Sequence, residues 1–531
     1  MTAAPELLVI GLLHTLDPAR PLAQAALVRD GRFVCVGTVE ACAAQGREPR
    51  RVEVGSAVPG LVDAHGHVFG LGRAGLEVSC ADAPSAEACA ARAAARARAA
   101  PPGAWIRGRG WDQNRWSGAA FPTRAALSRA VPDRPAVLVR VDGHAAWVND
   151  AALAAAGVGR DTPDPPGGRI LRAGDGEPSG VLVDGAMDLV LKKLPAPTPA
   201  EIEQALLSGL RALAQVGLTA VHDAGVTPDV LDVYRRLAAD GRLPIRVYAM
   251  IEGDGPVAEL VRRMEGFRAK PDAGLLTVRS VKLYADGALG SRGAALFEDY
   301  ADDPGNRGLF LTAPELLREK VRAIVAAGLQ PAIHAIGDRA VAEAISAIER
   351  AGDPAAVRAL RPRIEHLQIV RPADVPRLSA AGIVASMQPT HATSDGPWVP
   401  ARLGAGTERL RGAYAWRTVL RAGVPLAFGS DFPIERPDPR LGLAAAETRL
   451  PAGARAPFLT EEQLSRDEAL RAFTGGAAYA AFAEGRRGQI REGFDADLTA
   501  FAGDVLAVPA ERLPDLAVTH TIVAGRVAFE P

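Results

Sequence analysis

The stretch V-P-G-L-V-D-A-H-G-H-V, residues 58–68, decides how the chain folds. An apolar run ends there in His65-Gly66-His67, and residues i and i+2 of an extended strand point to the same side. Both imidazoles can therefore face one point, and Gly66 has no side chain that would crowd it. Neutral imidazole is a common nitrogen ligand of zinc. The pattern predicts a strand that ends in a metal site, although two neighbouring histidines can also be incidental.

The composition sets limits on size, partners and compartment. With 531 residues, the chain exceeds one ordinary domain and suggests two or three domains, or one large barrel with additions. Its net charge of -1 gives no basic surface for nucleic acid or an anionic membrane. The four cysteines form no C-x-x-C motif and indicate no disulfide framework. Residues 1–13 carry neither a basic segment nor a long apolar run, so we expect no signal peptide, no membrane span and a cytoplasmic protein.

The two ends of the chain carry similar β patterns. Asp30-Gly31 lies between two apolar segments, as in a β-hairpin, and residues 518–529 form a second hairpin pattern. Because chain termini often lie close together, we expect these two ends to pair into one small β-sandwich. The expected division is a composite β-sandwich domain of residues 1–56 and 486–531, a catalytic domain of residues 57–485, and an insertion at residues 75–195 within it.

From residue 198 onward the pattern alternates between helices and strands. Thr198-Pro199-Ala200-Glu201 is a capping box that begins a helix, and Thr312 with Glu315 predicts a second one. Eight apolar strands separated by helices indicate an α/β fold, a (β/α)8 TIM barrel with an insertion after strand one. The predicted strands are residues 58–62, 219–222, 245–251, 280–284, 330–334, 363–366, 383–386 and 425–429.

Polar residues gather at the carboxyl ends of these strands. In a barrel all such ends open on one mouth, where active sites are built. Five of the nine histidines, including His222, lie at the ends of predicted strands. Random placement of histidines would have to produce this pattern by chance. Four neutral imidazoles with a carboxylate suit one or two divalent, zinc-like ions. The residues expected at the mouth are His65, His67, Lys282, His334, His366 and Asp431.

Lys282 is unusual in such a set, because metal cations would repel an ammonium group. Burial favours a neutral lysine. A neutral amine can take up carbon dioxide and become a carbamate, which can bridge two metals. Alternatively, Lys282 pairs with Asp286 or contacts substrate, and the residues alone leave these choices open.

The motifs resemble the amidohydrolase superfamily, in particular its amidohydrolase 3 (YtcJ-like) metal-dependent hydrolase family. The resemblance covers nearly the whole chain and implies a metal-bearing barrel flanked by a composite β-sandwich. The motifs are P-G-L-V-D-A-H-G-H (59–67), G-W-D-Q-N-R-W (110–116), D-G-H-A-A-W-V-N (142–149), S-V-K-L-Y-A-D-G-A-L-G-S-R (280–292), H-A-I-G-D-R-A (334–340), I-E-H-L-Q (364–368), G-S-D-F-P (429–433) and G-F-D-A-D-L (493–498).

The resemblance also implies roles for the residues at the mouth. Asp431, His334 and Lys282 would be catalytic, and Lys282 would carry an N6-carboxyl group. One or two divalent ions, expected to be zinc, would be the cofactor. The implied metal ligands are His65, His67, Lys282, His334, His366 and Asp431.

The implied reaction is hydrolysis of a C–N bond other than a peptide bond, of the amide or N-substituted formamide type. A metal-activated hydroxide would attack the carbonyl carbon, and Asp431 would carry the proton to the leaving amine. The alternatives are a ring-opening or ester hydrolase on the same metal site, and a non-catalytic barrel scaffold. The expected partner is a small-molecule substrate, without nucleic acid or membrane, and a homodimer is a compatible assembly.

Four further residues are candidates for substrate binding. In the insertion, Trp111 and His144 offer aromatic and polar groups for a pocket, although a local apolar core would explain them as well. Asp286 and Arg292 lie in a glycine-rich loop after the fourth strand. Arg292 would bind a carboxylate of the substrate, or simply pair with an acidic residue.

Overall fold

The computed structural model describes residues 6–101, 103–118, 120–140, 143, 145–165, 168–268, 272 and 274–531. The chain divides into two compact units. The first contains the chain up to Leu71 and from Leu206 onward, and the second is Gly72–Ala205.

An eight-stranded parallel sheet forms the barrel of the first unit, which confirms the predicted α/β fold. Each barrel strand pairs with the next one along the chain. The Asp431 N–H donates to the His65 carbonyl oxygen at 2.7 Å, which links the last strand to the first and nearly closes the barrel. The strands are β1 Leu61–Gly66, β2 Leu218–Val226, β3 Arg246–Glu252, β4 Leu276–Tyr284, β5 Gln330–Ala335, β6 Arg363–His366, β7 Val384–Met387 and β8 Leu426–Phe428.

Strand β1 begins later than the sequence predicted. Val58 and Pro59 belong to the preceding strand, Arg50–Pro59, which lies in a different sheet. Gly60 forms the junction, and a Cβ atom there would come within 2.3 Å of Thr219 Oγ1, so only glycine fits. An uninterrupted apolar run does not distinguish one strand from two consecutive strands, which is why the boundary was misplaced.

Helices connect the barrel strands and follow the last of them, and the longer ones bury an apolar face. In Pro228–Ala239, for example, Val230, Tyr234 and Leu237 recur at helical spacing and are buried. The helices are Pro199–Gln215, Pro228–Ala239, Val257–Arg268, Pro314–Ala326, Asp338–Glu349, Pro354–Ala359, Val375–Ala380, Pro389–Asp395, Val399–Leu403, Glu408–Arg411, Trp416–Arg421, Pro439–Thr448, Arg466–Arg471, Ala472–Gly476 (a π-helix) and Ala477–Ala480, with 3-10 turns at Thr460–Glu462 and Ala510–Asp515.

The two predicted capping boxes have different outcomes. Thr198 and Glu201 form the reciprocal hydrogen bonds, with the Thr198 N–H donating to the Glu201 carboxylate at 2.8 Å and the Glu201 N–H donating to the Thr198 hydroxyl at 3.3 Å. The box predicted at Thr312 is absent, because the helix Pro314–Ala326 takes Ala313 as its N-cap instead.

Strands from both ends of the chain form one seven-stranded sheet, the composite β domain. The predicted Asp30-Gly31 turn is present, with both residues at positive φ, 49° and 75°. In order across the sheet, the strands are Arg526–Phe529, Val518–Val523, Leu498–Phe501, Arg50–Pro59, Leu7–His14, Leu22–Arg29 and Arg32–Gly37.

A disulfide joins Cys35 to Cys42, although the cysteine count did not predict one. It links the strand Arg32–Gly37 to the helix Val39–Ala43, which covers one face of the composite sheet. The other two cysteines, Cys80 and Cys89, are buried free thiols.

The second unit contains a six-stranded sheet with its own hydrophobic core. Across this sheet the strands are Gly168–Arg172, Pro178–Asp184, Ala145–Val148, Ala136–Arg140, Ile106–Trp111 and Val78–Ser79, and the helices near it in the chain are Val68–Leu76, Ala86–Ala99, Arg124–Ala130, Asp150–Ala156 and Asp188–Leu191, with a 3-10 turn at Gln113–Arg115. Within the described part of the chain, no helix is long and apolar enough to cross a membrane.

Candidate metal centre

Side chains from both ends of the barrel sheet converge on Asp431. Nε2 of His67 lies 3.1 Å from Asp431 Oδ1, and Nε2 of His65 lies 3.6 Å from the same oxygen. The ring of His366 lies 4.8 Å from that of His65 and 4.5 Å from that of His334, measured between centroids. The residues predicted at strand ends are therefore neighbours in space, as the barrel topology requires.

In each of four imidazoles, the Nδ1 atom, which faces away from the centre, has a hydrogen-bond acceptor. In a neutral ring whose Nδ1 donates its hydrogen, Nε2 has a lone pair that can face the centre, which is the arrangement seen around metal-binding histidines. The pairs are His65 with the Glu365 carboxylate (2.6 Å), His67 with the Ala224 carbonyl (2.8 Å), His366 with the Gln388 side-chain oxygen (2.9 Å), and His334 with the backbone of Gly287.

Burial keeps most of these imidazoles neutral. Together with the nearby Lys282, burial lowers the pKa of His65 to about 4 and that of His334 to about 3. The pKa of His366 also lies well below its usual value because of burial. The Nε2 lone pairs of these three rings are therefore free at neutral pH. His67 differs: burial acts to lower its pKa, but the hydrogen bond to Asp431 raises it above the usual value. The Nε2 atom of His334 is buried and has no hydrogen-bond partner among the described residues.

Asp431 remains ionised although it is buried. Burial acts to raise its pKa, but the hydrogen bond from His67 and the neighbouring imidazoles outweigh this effect, so its pKa lies below the usual value. Its backbone adopts a positive φ of 59°, and so does that of His366, at 73°. Such backbone strain in residues other than glycine is frequent at functional sites.

Two neighbours fix the position of Asp431. The Asp63 carboxylate accepts hydrogen bonds from the Ser430 N–H (3.1 Å), the Ser430 hydroxyl (2.6 Å) and the His65 N–H (3.0 Å), and so ties the end of β8 to β1. Gly66 lies against the ring of Phe432, and a Cβ atom on it would come within 2.2 Å of that ring. The glycine between the two histidines is therefore needed for packing.

A buried ion pair supports His65 from behind. Arg363 and Glu365 lie two residues apart on β6 and are both fully buried. Arg363 Nε donates to Glu365 Oε1 at 2.7 Å, and Nη2 donates to Oε2 at 3.1 Å. Burial acts to raise the pKa of Glu365, but the charge of Arg363 and the hydrogen bond from His65 keep it below its usual value. Glu365 is therefore an anionic partner for the His65 ring.

Lys282 faces the same centre from β4. Its Nζ atom lies 3.4 Å from His65 Nε2, and the side chain is fully buried. Burial lowers the pKa of Lys282 to about 8, so a substantial fraction of the amine is neutral near physiological pH.

The donor set fits a divalent cation of the zinc type. It supplies imidazole lone pairs together with an anionic carboxylate, and no thiolate. The ligand atoms of His65, His67 and Asp431 lie within 4.8 Å of one another, and so do those of His366, His391 and Asp431.

The residues predicted to bind substrate have mixed placements. Trp111 is fully buried in the core of the second unit, and its indole N–H donates to the Leu138 carbonyl at 2.7 Å, so we assign it to packing. Asp286 is fully buried as well, and its carboxylate accepts backbone N–H groups of Ala295, Ile336 and Gly337. Asp286 holds the loops after β4 and β5 together. Because no carboxylate edge is left exposed for a substrate, we assign it a structural role instead of the predicted substrate contact.

The other two predictions for substrate binding are not decided by the geometry. Arg292 forms an ion pair with Asp302 at 3.0 Å and keeps about a third of its side chain exposed, so its predicted substrate contact remains a prediction. His144 lies outside the described residues. His222, the fifth histidine at a predicted strand end, accepts a hydrogen bond from Arg363 at 2.9 Å and is structural.

Sequence reasoning missed three residues of the centre. Glu365 was visible as an acidic residue two positions after Arg363 in the four-residue strand β6, where an i, i+2 pair shares one face. Gln388 and His391 follow the end of β7, the position that already singled out the other ligands.

Comparisons with known proteins identify the family of the chain. The model of the amidohydrolase family matches residues 55–529. The chain is 34% identical to the amidohydrolase-type protein YtcJ of Bacillus subtilis (strain 168), over 98% of each chain, and 30% identical to the N-substituted formamide deformylase of Arthrobacter pascens, over 100% of this chain and 99% of that protein. A crystal structure of an uncharacterized metal-dependent hydrolase from Pyrococcus horikoshii superposes with a TM-score of 0.79, at 26% identity, over 95% of this chain and 99% of the other. From its family match, its relatives and its metal centre, the chain belongs to the amidohydrolase family.

Proposed function

We propose that this metal-dependent hydrolase cleaves a C–N bond of the amide type, with N-substituted formamides as the first class to test. The observation that supports it is the position of Asp431, an ionised carboxylate 3.1 Å from His67 Nε2 and 3.6 Å from Nε2 of the neutral His65 ring. A carboxylate there can take a proton from a water molecule and give it to a leaving amine. The 30% identity to a formamide deformylase supports the choice of substrate class.

His65, His67 and Asp431 would hold one divalent cation, and His334 and His366 would hold a second, with zinc favoured by the nitrogen ligands. When bound, such an ion lowers the pKa of a coordinated water from about 15.7 to about 7 and polarises the substrate carbonyl. The surrounding residues keep the ligands oriented. Glu365 and Gln388 fix the rings of His65 and His366 through their Nδ1 atoms.

Asp431 would then act twice. Because its pKa lies below the usual value, the carboxylate is ionised before the reaction begins and can accept a proton. Once it holds the proton of the attacking water, it becomes the acid that protonates the amine nitrogen. An amide nitrogen leaves poorly without that proton, so one side chain serves as base and then as acid.

Lys282 is the candidate for N6-carboxylation. Its neutral amine can add to carbon dioxide and lose a proton, and the resulting carbamate replaces a buried amine by two anionic oxygens. Such oxygens would suit a site flanked by two cations better than an ammonium group. Protein incubated with 13C-labelled bicarbonate should show a carbamate carbon signal by NMR, and Lys282→Ala should lack it. A wild-type protein without this signal, but with full metal content and activity, would refute carboxylation.

A substrate panel tests the reaction class. The metal-loaded protein is assayed with N-benzylformamide, N-acetyl amino acids, a lactone and a cyclic ureide, with release of amine or acid measured by chromatography. We expect turnover of the formamide or the acyl amino acids, loss of that turnover on chelation, and recovery on addition of zinc. Turnover of the lactone or ureide alone would replace the C–N assignment by ester hydrolysis or ring opening, and full activity after complete chelation would contradict metal dependence.

A further inference from the structure

His391 is a buried residue of the centre that has no assigned role. It lies in the helix Pro389–Asp395, directly after β7, and is 7% exposed. Its ring stacks on that of His366, with centroids 6.1 Å apart and planes at 11°. Its Nε2 atom lies 3.8 Å from Asp431 Oδ2 and, among the residues that the structure describes, has no hydrogen-bond partner. A buried polar atom left without a partner costs free energy unless something else binds it.

The hydrogen bonding behind His391 differs from that behind the predicted metal ligands. Its Nδ1 atom faces the Gln368 side-chain nitrogen at 3.5 Å. The Gln368 amide also donates to the carboxylate of Asp395, which in turn accepts from the Tyr414 hydroxyl at 2.5 Å. A carboxylate can only accept hydrogen bonds. The contact with Asp395 therefore identifies the atom that faces Asp395 and His391 as the amide nitrogen of Gln368 and not its oxygen.

The consequence is a reversed tautomer. An amide nitrogen offers only hydrogens, so the Nδ1 atom of His391 must accept, and the neutral ring carries its own hydrogen on Nε2. His65 and His366 donate through Nδ1 and keep an Nε2 lone pair. His391 therefore presents an N–H group to the centre, and in this tautomer it suits an anionic oxygen and not a cation.

We propose that His391 is a further catalytic residue, whose Nε2–H donates a hydrogen bond to the substrate oxygen that becomes negatively charged when the carbonyl is attacked. This role rests on the proposed hydrolysis at the same site. The proposed proton carrier lies nearby, since Asp431 Oδ2 is 3.8 Å from His391 Nε2. The stacked His366 ring and the Gln368 side chain hold the donor in place. Removing one such donor from an enzyme typically lowers kcat about 100-fold to 1,000-fold.

Two substitutions on the metal-loaded protein test this role. His391→Phe keeps a planar ring for stacking but removes the N–H, and His391→Gln retains a donor at similar reach. We expect His391→Phe to keep its metal content and Tm, to lose about 100-fold or more in kcat with little change in KM, and His391→Gln to recover part of that loss. His520→Gln is the matched control, since His520 is a partly buried histidine of the composite sheet whose Nδ1 is also without a partner among the described residues, and it should leave activity unchanged.

A second readout separates this proposal from the proposed function. Methylphosphonate, a tetrahedral oxyanion, is titrated into the metal-loaded wild type and both variants by calorimetry. We expect at least a tenfold weaker Kd in His391→Phe and a smaller change in His391→Gln. If the wild type turns over nothing on the panel, the proposed function fails, and the methylphosphonate affinities still decide this proposal.

Three results would overturn the proposal. Loss of metal together with activity in His391→Phe would make His391 a ligand instead of a donor. A kcat within twofold of the wild type would reduce it to a packing residue. Equal affinity of all variants for methylphosphonate would show that no hydrogen bond reaches an anionic oxygen.

Discussion

Replacing Glu365 by Gln tests how the protein prepares His65 to bind a metal. The Glu365 carboxylate accepts from His65 Nδ1 at 2.6 Å and from Arg363 at 2.7 and 3.1 Å, so every group facing it is a donor. A Gln side chain of the same size has one oxygen and one NH2 group. If its oxygen faces His65, its NH2 meets Arg363, donor against donor. If it turns around, His65 must move its hydrogen to Nε2 and loses the lone pair that binds the cation.

Either outcome weakens the metal centre. Loss of a carboxylate behind a metal-binding histidine typically costs 10-fold to 100-fold in metal affinity, which corresponds to about 1.4–2.7 kcal/mol. The metal-free protein loses stability as well, because the buried Arg363 charge no longer has its anion. Breaking a buried ion pair costs about 3–5 kcal/mol, and the remaining hydrogen bond to Gln places the expected loss near the lower end.

Two titrations measure these effects. Zinc affinity is measured by competition with a chromophoric chelator, and the free energy of unfolding of the chelated protein is measured in urea. The matched control is Glu349→Gln, which breaks the half-exposed ion pair with Arg377 (2.6 Å) and should cost less than about 1 kcal/mol without changing zinc affinity. Zinc affinity of Glu365→Gln within twofold of the wild type would refute the reasoning, since His65 would then bind equally well without its anionic partner.

Three further changes have defined outcomes. Gly66→Ala places a methyl group 2.2 Å from the buried Phe432 ring and should cost about 1–3 kcal/mol of unfolding free energy, measured in urea. The control Gly266→Ala lies on an exposed helix face with open space and should stabilise the protein by about 0.5–1 kcal/mol. Equal effects of the two substitutions would show that Gly66 is not needed for packing. Asp431→Asn should lower kcat at least 100-fold while some metal stays bound by elemental analysis, and full activity would exclude the proton-carrier role. Burial raises the pKa of Asp286 from 3.8 to about 7, so in chelated protein the folded state binds a proton that the unfolded state has released. The resulting stabilisation is complete below about pH 4 and is lost as the pH rises to about 7. Over that range the unfolding free energy of the wild type should fall relative to that of Asp286→Asn. A difference between the two proteins that does not change with pH would show that the pKa of Asp286 is not raised.

Much of the barrel was predictable from local pattern. The strands β2 to β8 lie within a few residues of the predicted segments, because alternation of apolar strands with helices leaves few other topologies. The convergence of His65, His67, Lys282 and Asp431 followed from strand ends alone. The first strand was misplaced because Gly60 divides an apolar run without interrupting its hydrophobic character.

The rest of the site depended on contacts that a sequence does not display. Trp111 and Asp286 are residue types that often line pockets, but both are fully buried and satisfied by backbone hydrogen bonds. Glu365 and His391 were overlooked for opposite reasons. Glu365 is charged inside a buried strand, where only the position of Arg363 explains it, and His391 lies beyond the strand end on the following helix.

The most direct test of the metal centre is anomalous X-ray diffraction at the zinc edge from crystals of the purified protein. We expect one or two anomalous difference peaks, each at about 2.0–2.2 Å from imidazole Nε2 or carboxylate oxygen atoms. These peaks should lie among His65, His67, His334, His366 and Asp431. An active protein without an anomalous peak among these residues at the zinc edge or at any other metal edge, or with its metal bound elsewhere, would contradict this expectation.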